Sequence, residues 1–272
     1  MQGKVNTMQR RLQLMLMAKR KREYTGGHEH GRLNTRELVG AYSGRPNVFK
    51  IREDSEDMDT AVSVVVDHSG SMIGREMDTA ARASIAIAEA LEGTGVAYEI
   101  TGFNNEGGHY GLSGGVQSSR FGIQCLKVYK DFNEPLVHCR GALGTMHQRA
   151  SGNNADGESV MHAFSRLDRR QEARKIMMVL SDGYPATHSS YGSAHLNEHL
   201  RRVVDLIQKS GTEIMGVGIH SDAVQQFYPD WVVLHDIDDL PKLMIDRVGK
   251  WLIGERFSAD NSTLMNVNRS VA

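Results

Sequence analysis

The sequence predicts an α/β fold, a mostly parallel central sheet with helices on both faces. Three observations carry that reading. Two runs, residues 61–66 and 175–180, are almost continuously apolar, as strands buried on both faces require. Each run ends in a polar turn of Asp, Ser and Gly. Between and after them, apolar residues recur at helical spacing, and strands alternating with helices of this length build a parallel sheet.

The elements follow in order. The first strand is expected at 61–66. A polar turn, 67–74, leads into a helix whose inner face is Met77, Ala80, Ala81, Ile85, Ala88 and Leu91, ended by Gly93 and Gly95. Residues 96–103 read as a second strand. Residues 104–124 hold six glycines and no apolar periodicity, so a long loop is expected. A third strand, at the sheet edge, is expected at 126–132, and a helix at 157–169. After the strand at 175–180, the stripe Leu196, Leu200, Val203, Val204 and Ile207 marks a helix at 195–209. Strands at 213–219 and 231–234 and a helix at 240–253 complete the series. Residues beyond about 258 are polar and expected to fray.

The domain division that results is 1–59, an N-terminal extension; 60–255, the α/β domain; and 256–272, a polar tail. The extension opens with a lopsided charge. Residues 1–22 carry Lys4, Arg10, Arg11, Lys19, Arg20, Lys21 and Arg22 and no acid. Val5, Met8, Leu12, Met15 and Leu16 recur there at helical spacing, which reads as a basic amphipathic helix. Such a helix suits RNA or an anionic membrane, but it has no aromatic anchor, and docking on its own domain or a partner subunit is the expectation. Residues 25–59 look irregular and close on the acids Glu53, Asp54, Glu56, Asp57 and Asp59.

Composition excludes several classes. The 272 residues include 32 basic and 33 acidic ones, a net charge of −1, which argues against a general nucleic-acid binder. No apolar run approaches the roughly 20 residues of a membrane helix. Two cysteines, Cys125 and Cys139, are too few for a disulfide framework or a cysteine zinc site. Nothing reads as an export signal, so a cytoplasmic location is expected.

The chemistry sits where strands end, which is where open α/β sheets place ligand sites. Asp67-x-Ser69-x-Ser71 follows the first buried strand, and Ser181-Asp182-Gly183 follows another. One carboxylate and two hydroxyls on one turn, with a second carboxylate nearby, are hard oxygen donors. They suit Mg²⁺ rather than zinc or copper and leave positions open for a carboxylate from another protein.

This constellation resembles the metal-ion-dependent adhesion site (MIDAS) of von Willebrand factor type A (VWA) domains, over roughly residues 60–253. A narrower resemblance rests on Gln9-Arg10-Arg11-Leu12, Asp67-x-Ser69-Gly70-Ser71-Met72, Gly102-Phe103, Asp156-Gly157-Glu158, the segment 176–185 with Ser181-Asp182-Gly183-x-Pro185, and Glu198-His199-Leu200-Arg201. These occur in similar order in the CobT-type subunit of aerobic cobalt chelatase. The resemblance implies a Rossmann-like VWA domain. It also implies that Asp67, Ser69 and Ser71 form the first metal loop, that Asn154 or Asp156 comes from the second, and that Asp182 comes from the third. The adhesion-site threonine of the second loop is not evident, and the two second-loop candidates stay open. The alternative for Asp67 and Asp182 is simple capping of the helices that follow.

Function follows as an expectation: a non-catalytic, CobT-like cobaltochelatase subunit of cobalamin biosynthesis. It would hold Mg²⁺ and dock a CobS-like AAA+ ATPase, and through it a large chelatase subunit, in a ring-shaped hetero-oligomer. Family members carry a long acidic region ahead of this domain that this chain almost lacks. That favours the alternative, a stand-alone VWA adaptor working with a MoxR-type AAA+ chaperone on another metalloprotein or complex. Other motifs carry less. His195-x-x-Glu198-His199 fits an inverted zinc-protease pattern but lacks a third ligand. Gly111-x-Ser113-x-Gly115 lies in the glycine-rich loop, not on a strand-to-helix elbow. No phosphate-binding loop with Gly-Lys-Ser/Thr is present, so any ATP chemistry belongs to a partner. His68 and His109 could touch a ligand or simply be solvated.

Overall fold

The computed structural model describes residues 22–37, 42–43, 46–54, 59–106, 123–186 and 193–235. The basic N-terminal helix, most of the 104–124 loop, the helix at 240–253 and the polar tail lie outside the described residues.

The strands are β1 (Arg22–His28), β2 (Arg32–Leu33), β3 (Phe49–Asp54), β4 (Thr60–Asp67), β5 (Ala97–Glu106), β6 (Ile123–Lys130), β7 (Arg174–Ser181), β8 (Glu213–Ile219) and β9 (Asp230–Leu234). The helices are α1 (Arg75–Leu91), α2 (Leu136–Gly144), α3 (Asp156–Asp168) and α4 (Ser193–Lys209). Six strands form the main sheet in the order β6-β5-β4-β7-β8-β9. All its pairings are parallel except β5–β6, where the edge strand runs antiparallel. Among the described residues no helix is long and apolar enough to cross a membrane.

Strand periodicity divides the core in two. Every residue of β4 is buried. Val62, Val64 and Val66 join Met77, Ala80, Ile87 and Leu91 of α1 and Leu143 of α2 on one face. Ala61 and Val65 join Val160 and Leu167 of α3 and Leu200 and Val204 of α4 on the other. Successive side chains of a strand point to opposite faces, so one β-branched run fills both layers.

Residues 25–59 correct an expectation. They are not irregular throughout: β1, β3 and β2 pair antiparallel in a separate three-stranded sheet. The strands are short and rich in charged residues, and the one alternating stretch, Phe49-Lys50-Ile51-Arg52, is only four residues long and runs into acids. The register shifts between Gly26 and His28, and the intervening Gly27 has φ +89°. Helix α2 was not foreseen either, because its inner face is only Leu136, Cys139 and Leu143.

Candidate metal centre

Strand order fixes the place. β4 pairs with β5 on one side and β7 on the other, so the chain connections diverge there. That divergence opens a crevice at the carboxyl ends of the strands. β4 ends at Asp67 and β7 at Ser181, and the two candidate motifs therefore emerge side by side.

Backbone hydrogen bonds lace three loops together. Gly70 N–H donates to the Gly152 carbonyl at 2.8 Å, and Ser151 N–H to that of His68 at 2.7 Å. Asn153 and Asn105 exchange two bonds at 2.7 and 3.1 Å, and Asn154 and Ala186 exchange two at 3.0 and 2.9 Å. Gly152 is required where it stands: its φ is +71°, and a Cβ would lie 2.2 Å from the Asn105 carbonyl oxygen.

The side chains continue the lacing. Asp67 is fully buried. Its Oδ1 accepts the Ser69 N–H at 2.8 Å. Its Oδ2 accepts Ser181 Oγ at 2.9 Å and Asn154 Nδ2 at 3.2 Å. Ser69 Oγ and Ser71 Oγ lie 2.9 Å apart, and Ser71 Oγ donates to Asp182 Oδ1 at 3.0 Å. Asp67, Ser69, Ser71, Asn154 and Asp182 thus form one hydrogen-bonded cluster. Asp156, at the start of α3, is buried, and its Oδ1 has no hydrogen-bond partner.

The two second-loop candidates differ in their hydrogen bonds. The Asn154 Nδ2 sits between two acceptors, Asp67 Oδ2 and the Tyr184 carbonyl at 3.2 Å. Its Oδ1 accepts the Ala186 N–H at 3.2 Å. Only the amide oxygen can ligate a cation, and it keeps one lone pair beside that bond. Flipping the amide would set oxygen against a carboxylate and a carbonyl.

Three acids in one place disturb one another. Burial, opposed by the Ser69 N–H and reinforced by the Asp182 charge, pushes the Asp67 carboxyl up to about 6. Burial and then the Asp67 charge hold Asp156 well above the usual carboxylate range. Burial also raises Asp182, against the bond from Ser71. A divalent cation among them would reverse these shifts, because it favours every charged form. The donor set fits such an ion: all oxygen, with one buried carboxylate oxygen lacking a partner. Among the described residues no three His, Cys, Asp or Glu side chains converge closely enough to hold a metal by themselves. A cation here therefore needs the serine hydroxyls as well.

Sequence reasoning named Ser181 only as part of its motif and missed the Asn residues that hold the loops. Ser181 fixes Asp67, Asn104 Nδ2 donates to the Ser151 carbonyl and Oγ, both at 3.0 Å, and Asn105 Oδ1 accepts the Ala155 N–H at 3.0 Å. The signal was an Asn pair ending a strand beside the crevice. His68 is buried against Gly102, where an added Cβ would lie 2.1 Å from its ring. Its edge meets the Tyr129 ring at 5.4 Å. Burial, with the Lys127 and Arg149 charges, lowers its pKa to about 4. His109 lies outside the described residues, as does the segment 111–115. His195 is exposed, and His199 packs over Gly157 with Nδ1 3.5 Å from Glu158 Oε2.

Residues 48–254 match the family described as the cobalamin biosynthesis protein CobT VWA domain. The uncharacterized protein YojO of Bacillus subtilis (strain 168) is 25% identical over 232 residues, covering 82% of this chain and 35% of YojO. The chain thus spans about a third of that relative's length. Among solved structures, the open conformation of the pilus adhesin SpaC from Lactobacillus rhamnosus GG is similar with a TM-score of 0.53 at 15% identity, over 74% of this chain and 30% of that one. The PilB minor pilin from Streptococcus sanguinis gives 0.52 at 13% identity, over 74% and 63%. Proximal thread matrix protein 1 from the mussel byssus gives 0.51 at 15% identity, over 71% and 46%. At these identities the likeness is one of fold.

Proposed function

Because the chain belongs to the CobT VWA-domain family, we propose that it is a CobT-like cobaltochelatase subunit whose three loops hold Mg²⁺ at a MIDAS and dock a CobS-like AAA+ ATPase. One observation carries this reading: Asp67, Ser69, Ser71 and Asp182, from two strand ends, form one hydrogen-bonded oxygen cluster at the sheet's crevice.

In this reading Asp67, Ser69, Ser71 and Asp182 are ligands, and Asn154 or Asp156 completes the set from the second loop. When bound, the cation supplies a Lewis-acidic centre with positions left for a carboxylate of another protein. The chain's own residues prepare that centre. Ser69 N–H, Ser181 Oγ and Asn154 Nδ2 fix both oxygens of Asp67. Ser71 Oγ ties the first loop to Asp182 of the third. The subunit is non-catalytic: ATP hydrolysis and cobalt insertion into the corrin ring belong to its partners, in the cytoplasm.

The test is affinity capture from the native cell extract on immobilised protein, with Mg²⁺ and ATP and again with EDTA, beside Asp67→Ala. The expected eluate holds a AAA+ ATPase and a large chelatase subunit, only with metal and intact Asp67. Retention that ignores both would overturn the docking mechanism. A MoxR-type AAA+ chaperone with an unrelated metalloprotein would replace the pathway and keep the mechanism.

A further inference from the structure

We propose that the basic segment 1–21 folds back on its own chain and docks in an acid-rimmed groove at the end of the sheet opposite the candidate metal centre. The proposal is independent of the metal-docking reading.

The groove, of about 910 Å³, lies at the amino ends of the parallel strands. Asp59 stands just before β4 and Val96 just before β5, while Phe132, Glu134 and Pro135 follow the end of the antiparallel β6. The wall is mixed: Val96, Phe132 and Pro135 are apolar, and Asp59, Glu92 and Glu134 are acidic.

These acids are held by neutral donors, which place a carboxylate without cancelling its charge. Glu92 Oε2 accepts Tyr98 Oη at 2.6 Å, and its Oε1 accepts the Leu136 N–H at 3.3 Å. Asp59 Oδ1 accepts the Ala173 N–H at 2.7 Å. Among the described residues no ion pair engages Asp59, Glu92 or Glu134. The cation on the wall, Lys130, is 2% exposed. Its Nζ donates to the Tyr98 and Asp131 carbonyls at 2.8 and 3.0 Å and sits 3.6 Å from the Tyr98 ring centroid. The rim of the groove therefore stays acidic.

Segment 1–21 has the matching chemistry. It carries Lys4, Arg10, Arg11, Lys19, Arg20 and Lys21 and no acid, beside the stripe of Val5, Met8, Leu12, Met15 and Leu16. A basic face next to an apolar stripe suits apolar walls under an acidic rim.

The segment is also tethered close by. It runs into Arg22, the first residue of β1, whose register partner is Asp54 of β3. Paired strands lie about 5 Å apart. Asp59 is five residues beyond Asp54, a path of at most about 18 Å. The segment thus leaves the small sheet within roughly 23 Å of Asp59, and as the helix its apolar spacing predicts it is about 32 Å long. A tether this short gives an effective concentration on the order of millimolar, enough to populate a modest contact.

Zero-length carbodiimide crosslinking of the full chain, read by peptide mass spectrometry, tests the proposal. Mixing isotope-labelled with unlabelled protein separates links within a chain from links between chains. The expected links join Lys4, Lys19 or Lys21 to Asp59, Glu92 or Glu134 within one chain. Hydrogen exchange should find the amides of 1–21 protected in the wild type and exchanging about tenfold faster in Asp59→Lys/Glu134→Lys. The β4 amides of the same sample report whether that variant has folded, and the wild-type links decide if it has not. Absence of those links, links only between chains, or links to the same acids from Lys242 or Lys250 instead would overturn the proposal. So would unprotected 1–21 amides in the wild type, or protection unchanged in a folded variant.

Discussion

Ser181 Oγ donates to Asp67 Oδ2 at 2.9 Å across the β4–β7 pairing, between residues 114 apart in sequence. The bond ties the last residue of one central strand to the last residue of its neighbour, at the point where the chain connections diverge. It leaves Asp67 buried with both oxygens engaged. Such fixed outer partners orient a metal ligand, and their loss typically lowers affinity about 10- to 100-fold. Ser181→Ala should therefore weaken Mg²⁺ binding by roughly tenfold without abolishing it. Calorimetry measures this, and an unchanged affinity would remove Ser181 from the support of the site.

Asp156 and Asn154 should behave differently. With Asp156 as the second-loop ligand, Asp156→Asn should eliminate Mg²⁺-dependent stabilisation. Its carboxyl is held well above the usual range, a cost to the metal-free fold at neutral pH, so the amide should make that fold more stable by about 1–2 kcal/mol. Asn154→Ala should keep Mg²⁺ binding with affinity lowered by roughly tenfold, since it disturbs only the placement of Asp67. Denaturant melts with EDTA and with Mg²⁺ separate the two, and the reverse pattern would make Asn154 the ligand.

Arg166 should matter for stability more than for the site. Its Nε lies 3.0 Å from Oε2 of the fully buried Glu99, whose Oε1 accepts Ser63 Oγ at 2.9 Å. Burial still holds the Glu99 carboxyl above its usual range. A raised carboxyl favours the folded state when protonated, so this contribution is present below the unfolded value of 4.5 and is lost as pH rises through the folded one. Arg166→Met leaves Glu99 buried without its ion pair and should cost about 3 kcal/mol at neutral pH. The deficit should shrink as pH falls towards 4.5. A deficit independent of pH in urea titrations would assign the loss to packing instead.

Gly102 has room for no side chain. A Cβ there would lie 2.1 Å from the His68 ring, between Asp67 and Ser69 of the first loop. Gly102→Ala should cost about 1–3 kcal/mol by overpacking. It should also weaken Mg²⁺ binding, because His68 moves with the loop. Loss of stability with intact metal affinity would show that the loop absorbs the shift.

These residues also show what the sequence disclosed. β4 and β7 were legible because strands buried on both faces need no alternation, and their runs end at Asp67 and Ser181. The Asp67 and Asp182 carboxyls at those ends could be named as candidate ligands from residue type, spacing and strand context together with the resemblance. The roles of Ser181, Asn104 and Asn105 were not legible, since each depends on a partner brought close only by the sheet. The choice between Asn154 and Asp156 stays with the metal titrations, since spacing does not contain it. β1 and β2 escaped because backbone pairing alone marks them, and β3 because its alternation covers only Phe49 to Arg52.

Direct calorimetric titration of Mg²⁺ into the metal-free wild type and Asp67→Ala addresses the metal centre itself. A saturable binding heat in the wild type and none in a folded Asp67→Ala protein is the expected result. Equal heats in the two proteins, or no binding by the wild type, would contradict a cation held by Asp67, Ser69, Ser71 and Asp182 with Asn154 or Asp156.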